Sequence, residues 1–214
     1  MSKTIRLTYL FDPLCGWCYG AAPAIGTLMQ QGDITVIALP SGLFAGARAF
    51  PMSAGFAAHA WEADQRIAQL TGQTFSENYR KNVLESGVGK VDSGPATLAL
   101  SAVHLTTPER EFEALTAIQS ARYVDGRDNA DAAVIADVLT ELRLDAAAKR
   151  FAVPDTELLK FNNSRIEAAQ AEMRRFGASG VPTLIAGEGP DAGIVSSNAL
   201  YGRTDALIAA LCAA

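Results

Sequence analysis

Two cysteines spaced three apart, in Phe11-Asp12-Pro13-Leu14-Cys15-Gly16-Trp17-Cys18, have the type and spacing for covalent chemistry. Thiols at i and i+3 fall together on a helix's first turn and can close into a disulfide with little backbone movement. Residues 4–11 (TIRLTYLF) alternate and are rich in β-favouring types, so they read as a strand. Residues 20–31 (GAAPAIGTLMQQ) read as a helix ended by Gly32. A C-x-x-C between strand and helix reads as a redox site. The unpaired amides and macrodipole of a helix start favour a thiolate there. Cys15 is then the exposed nucleophile and Cys18 the more buried resolving thiol. The same pair is half a zinc site, which needs two more Cys or His ligands. His59, His104 and Cys212 form no second close pair, so no metal is expected. Two incidental core cysteines fit poorly, because the flanking Gly16 and Trp17 make a weak core segment.

These thiols must be held by a fold, and composition limits which. At 214 residues the chain can build one sizeable core with an inserted subdomain. It is 49% apolar and 19% charged, the balance of an ordinary globular protein. A net charge of -5, with Lys and Arg scattered, argues against nucleic acid or an anionic membrane as the main partner. Met1-Ser2-Lys3-Thr4 runs straight into the first strand without a signal-peptide pattern. No apolar run approaches the roughly 18 residues needed to span a bilayer. Three cysteines, two of them in one motif, fit a cytoplasmic protein, where disulfides are transient and catalytic.

Residues 33–40 (DITVIALP) read as a second strand, completing a βαβ unit with parallel neighbours. Residues 41–52 read as a Gly-rich loop beside the site. From 53 to 176 strand signals vanish and helical segments follow one another, at 54–70, 75–84, 95–105, 109–124, 132–142, 146–151 and 156–176. Strand character returns at 183–186, with 194–196 as a candidate partner, and a helix closes the chain. The division expected is 1–52 with 177–214 as one domain, and 53–176 as an inserted helical one.

The other strong signal is Gly177-Ala178-Ser179-Gly180-Val181-Pro182-Thr183. A proline opening a strand after a Gly-rich turn is a place for a cis peptide bond, a trans proline merely starting the strand being the alternative. Cys15-Gly16-Trp17-Cys18, the helical block after the second strand and Gly180-Val181-Pro182-Thr183 together resemble the DsbA-like branch of the thioredoxin superfamily. The Phe11-Asp12-Pro13-Leu14-Cys15 lead-in and the large insertion look most like its cytosolic FrnE-type members. The likeness spans the chain in organisation, while its specific motifs occupy about 25 residues.

The resemblance implies an α/β thioredoxin fold with a large all-helical insertion. It implies Cys15 as the attacking thiol, Cys18 as the resolving thiol and Pro182 as a cis-proline facing them. Val181 would offer its backbone to an extended substrate, and Trp17 would cap the site as an apolar platform or pack into the insertion. Stronger oxidants of this superfamily carry His where this chain has Trp17. The expected potential is therefore below that of DsbA, about -120 mV, and nearer roughly -180 to -230 mV. Asp12 reads as a turn former before Pro13, with a proton relay to Cys18 as the alternative. His59 and His104 read as helix residues, and Cys212 as a small residue on the apolar face of the last helix.

Thiol–disulfide exchange on protein or small-molecule disulfides is the leading function, with glutathione as a candidate partner and no cofactor. Kappa-type glutathione transferases and 2-hydroxychromene-2-carboxylate isomerases share the plan, but typically carry Ser where this chain has Cys15. A peptide-binding or chaperone module, with incidental thiols, is the non-catalytic reading.

Overall fold

The site hangs from β1 (Ile5–Phe11), the seven-residue strand whose alternation turns Leu7, Tyr9 and Phe11 to one face and Leu10 to the other. The computed structural model describes residues 4–213, so the reading of Met1-Ser2-Lys3 lies outside the described residues. From the end of β1 the chain enters α1 (Gly16–Met29), which lays Cys18, Ala21, Ile25 and Leu28 on the Leu7 face. It returns as β2 (Ile34–Pro40), parallel to β1 and paired from Ile5↔Ile34 to Phe11↔Pro40.

A loop then leads through the short β3 (Phe50–Pro51) into the helical block. The block comprises α2 (Ala54–Thr71), α3 (Glu77–Tyr79) continued by a π turn at Arg80–Leu84, and, after the short β4 (Lys90–Val91), α4 (Gly94–Thr106). It continues through α5 (Glu111–Tyr123), α6 (Ala132–Glu141), α7 (Asp145–Ala152) and α8 (Thr156–Phe176). The caps follow local chemistry. The Ser53 side chain accepts from the Phe56 amide and that of Asp155 from the Leu158 amide, at the starts of α2 and α8. Gly72 and Gly177 end the same helices at φ of 74° and 64°, a conformation glycine adopts without strain.

The chain closes with β5 (Thr183–Ala186), β6 (Gly193–Val195) and α9 (Thr204–Ala213). β5 is antiparallel to β1, β6 is antiparallel to β5, and the sheet order is β2-β1-β5-β6. On the second sheet face Leu10 and Ile185 pack with Ala169, Met173 and Phe176 of α8. This is a mixed α/β thioredoxin fold with a large helical insertion.

Two details differ from the sequence expectations. α1 begins at Gly16 rather than Gly20, because the turn at Asp12 delivers the chain into helical geometry with Cys15 itself as N-cap. The block also contains β4, which pairs antiparallel with β3 at Phe50↔Val91 and Pro51↔Lys90. Two residues are too few to write a period-2 pattern.

Candidate active site

The loop from β1 to α1 is fastened by Asp12, which is fully buried. Its carboxylate accepts from the Leu14 amide at 2.9 Å, the Ser93 hydroxyl at 2.8 Å and the Phe44 amide at 3.3 Å. The first is the turn bond expected of an Asp at this position. The other two tie the loop to the start of α4 and to the segment after β2. Burial pushes the Asp12 carboxyl above its usual range, while these donors hold it down.

Cys15 and Cys18 are free thiols with different surroundings. Cys15 is not the exposed thiol expected: it is buried, with 8% exposed, because the Val181 segment covers it, its Sγ donating to the Val181 carbonyl at 3.4 Å. Cys18 is fully buried, with Tyr9 Oη donating to its carbonyl at 3.4 Å. Burial pushes the Cys18 thiol well above the ordinary range, the adjacent Cys15 adds to this, and the Asp12 amide opposes it. Cys18 therefore holds its proton at neutral pH.

Beside Cys15 opens a cleft of about 480 Å³, walled by residues 177–183, Trp17, Val195, Asn198 and Tyr201. The Val181–Pro182 bond is cis. Trp17 packs against Tyr201 with ring centroids 5.2 Å apart, and Tyr201 Oη reaches the Trp17 carbonyl at 3.4 Å. Trp17, Val181 and Pro182 thus share one wall beside Cys15, with Cys18 behind it. His59 is exposed on α2, while His104 pairs with Glu111 at 2.6 Å in the helical block. Cys212 does not lie on an apolar face. It is exposed, because Leu207 and Leu211 take the buried side of α9 and residue 212 falls more than a quarter of a turn away from either. Among the described residues no group of three or more His, Cys, Asp or Glu side chains is placed to hold a metal ion. Among them, too, no helix is long and apolar enough to cross a membrane.

The sequence reading missed a buried polar cluster behind the dithiol turn. Asp64 on α2 is 4% exposed and accepts from Tyr79 Oη at 3.0 Å. Arg122 is 2% exposed, bonds Asp128 at 3.0 Å, and lies over the Tyr79 ring at 5.4 Å. Tyr123 Oη donates to the Leu14 carbonyl at 2.8 Å. The signal was present: Asp64 stands at helical spacing with Ala57, Ala60 and Ile67, a carboxylate on an apolar stripe.

No protein-family model matches the chain, and no curated protein matches it. Among solved structures it is similar to the cytosolic disulfide reductase DsbM from Pseudomonas aeruginosa, at 30% identity and a TM-score of 0.84, over 96% of each chain. A structure of that protein with GSH matches at 31% identity and a TM-score of 0.82, again over 96% of each. A candidate protein disulfide isomerase from Nitrosomonas europaea matches at 28% identity and a TM-score of 0.77, over 98% of this chain and 96% of that one. A 2-hydroxychromene-2-carboxylate isomerase, at 14% identity and a TM-score of 0.58 over 97% and 96%, shares the fold alone. The chain belongs to the DsbA-like disulfide oxidoreductases of the thioredoxin superfamily. It is an enzyme of thiol–disulfide chemistry, an oxidoreductase or isomerase.

Proposed function

We propose that the Cys15-Gly16-Trp17-Cys18 dithiol carries out this chemistry. The Cys15 thiolate attacks one sulfur of a substrate disulfide, forming a mixed disulfide and expelling the other sulfur as a thiolate. Cys18 then attacks the Cys15 sulfur, its proton passing to the departed thiolate. The internal disulfide forms, the second substrate thiolate leaves, and two electrons have moved from the dithiol to the substrate. The observation carrying this reading is the contact of Cys15 Sγ with the Val181 carbonyl at 3.4 Å, beside a cleft lined by Trp17, Val181 and Pro182. These three residues are assigned to substrate binding, and the unequal burial of the thiols supports the division of labour.

Glutathione is proposed as the reductant, two molecules restoring the dithiol, or as half of a mixed-disulfide substrate. The structure of DsbM with GSH supports this. The cytosolic relative likewise supports a cytoplasmic, FrnE-type assignment acting in the reducing direction. Domain limits of 1–52 with 177–214, and 53–176 inserted, fit this reading, with α8 of the insertion doubling as the cover of the second sheet face.

The test is thiol counting by alkylation and mass spectrometry across glutathione redox buffers, with two variants. Cys15→Ser should abolish turnover, and Cys18→Ser should accumulate mixed disulfides with substrate. Joint conversion of Cys15 and Cys18 to an internal disulfide supports the dithiol. A fully active Cys15→Ser protein, or only a glutathione adduct, would shift the reading to a glutathione-using enzyme.

A further inference from the structure

Asp64 is aimed at the dithiol turn. Its Oδ1 lies 2.3 Å from where a Cβ on Gly16 would stand, so the carboxyl rests against the first residue of α1 and adjoins the N-cap, Cys15. Its other oxygen is held by Tyr79. The titratable and charged groups facing it are Tyr79 from α3 and Arg122 and Tyr123 from α5, and Cys15 is the chain neighbour of Gly16, against which the carboxyl lies. Tyr123 in turn grips Leu14, so the cluster touches the residues on both sides of Cys15. A thiolate at the N-cap and a carboxylate at the first turn draw on the same positive helix end, and each opposes ionisation of the other.

We propose that Asp64 is a positioning residue of the exchange reaction, a brake that in its ionised form opposes the Cys15 thiolate through the first turn of α1. The proposal rests on the reading of Cys15 as the attacking thiol. It also gives Gly16 a reason within C-G-W-C: any side chain there would displace the carboxyl. Burial pushes Asp64 up to about 7, so the brake engages as pH rises through neutrality. A like charge one residue away, partly screened, is worth about tenfold in the thiolate equilibrium. Nucleophilicity falls as thiol basicity falls, so the gain in attack rate on releasing the brake is smaller, about threefold.

The experiment measures iodoacetamide modification of Cys15 by mass spectrometry against pH, in the full chain, in Asp64→Asn and in Tyr79→Phe. Asp64→Asn should react about threefold faster than the parent from about pH 7 up to the pH at which the thiol itself ionises, and equally below about pH 6. In glutathione buffers its midpoint should lie about 30 mV less negative once pH exceeds the thiol's own ionisation, the equivalent of tenfold for two electrons, and should converge with the parent's below about pH 6. Tyr79→Phe removes a hydrogen bond that favours the ionised carboxyl, so the same divergence should begin at higher pH. A rate ratio flat across pH in both variants, with Cys15 reactive, overturns the role of Asp64 and leaves the dithiol reading standing. A parent protein whose Cys15 is unreactive overturns both.

Discussion

Burial pushes Asp12, Cys18 and Asp64 all upward in the folded protein. For Asp64 this has a stability consequence with a definite sign. Its ordinary value is 3.8 and its folded value about 7, so between them the folded chain keeps a proton that the unfolded chain has released. Stability is lost as pH rises through that window, and the loss is complete above about 7. Three units correspond to about 4 kcal/mol at most. Asp64→Asn carries no titrating carboxyl and keeps an acceptor for Tyr79, so it should flatten this slope. Urea denaturation at about pH 5 and about pH 8 measures it. Asp12 contributes a residual slope of the same sign. An unchanged slope in Asp64→Asn would assign the whole effect to Asp12 and mean that Asp64 stays ionised.

The contact of α1 with α2 explains why the dithiol helix is glycine-rich. A Cβ on Gly20 would stand 2.5 Å from Cγ2 of Ile67, a side chain that is itself fully buried and has nowhere to move. Gly20→Ala should cost about 1–3 kcal/mol through overpacking, despite the roughly 1 kcal/mol that alanine gains in helix propensity. Gly55→Ala is the contrast: nothing lies within 4 Å of its Cβ position on α2, so propensity alone should act and stabilise. Opposite shifts of the two urea midpoints are the expected result, and equal shifts would deny the close packing. The sequence announced these elements unevenly. β1 and β2 were legible from their β-branched and alternating runs, α2 from its apolar residues at helical spacing, and both α2 and α8 from the glycines that close them. C-x-x-C and Val181-Pro182-Thr183 were legible as a pair because each follows local turn chemistry. What stayed hidden depends on tertiary contact: Asp64 against Gly16, Tyr123 on Leu14, Tyr201 behind Trp17, and the two-residue pairing of β3 with β4. None has a local signature except the misplaced carboxylate on the α2 stripe.

At the scale of the molecule, α8 joins the two layers of the fold, because it covers the second sheet face and also anchors the helical block. The joint is Arg165, 5% exposed, which pairs with Glu111 of α5 and donates to the Ala38 carbonyl of β2 at 2.9 Å. Glu111 also meets His104 of α4, and the Arg165 guanidinium lies 5.7 Å from the Phe161 ring centroid. One guanidinium thus ties the edge strand to α5 from within α8. Removing it leaves the Glu111 carboxylate buried with His104 as its remaining partner, and strips a donor from the Ala38 carbonyl. Breaking one half of a buried pair costs about 3–5 kcal/mol, whereas replacing both halves with apolar groups of similar size is often close to neutral. Arg165→Met should therefore lower unfolding free energy by an amount in that range, and Arg165→Met with Glu111→Leu should recover most of it. Urea denaturation followed by far-ultraviolet circular dichroism and by tryptophan fluorescence reads both quantities. Trp17 sits on the dithiol turn and Trp61 on α2, so in a Trp61→Phe background fluorescence reports the site while dichroism reports the whole helical content. Because α8 belongs to both layers, the two transitions should shift together in Arg165→Met. A fluorescence transition that stays in place while the dichroism transition moves would show that the redox layer stands without this joint.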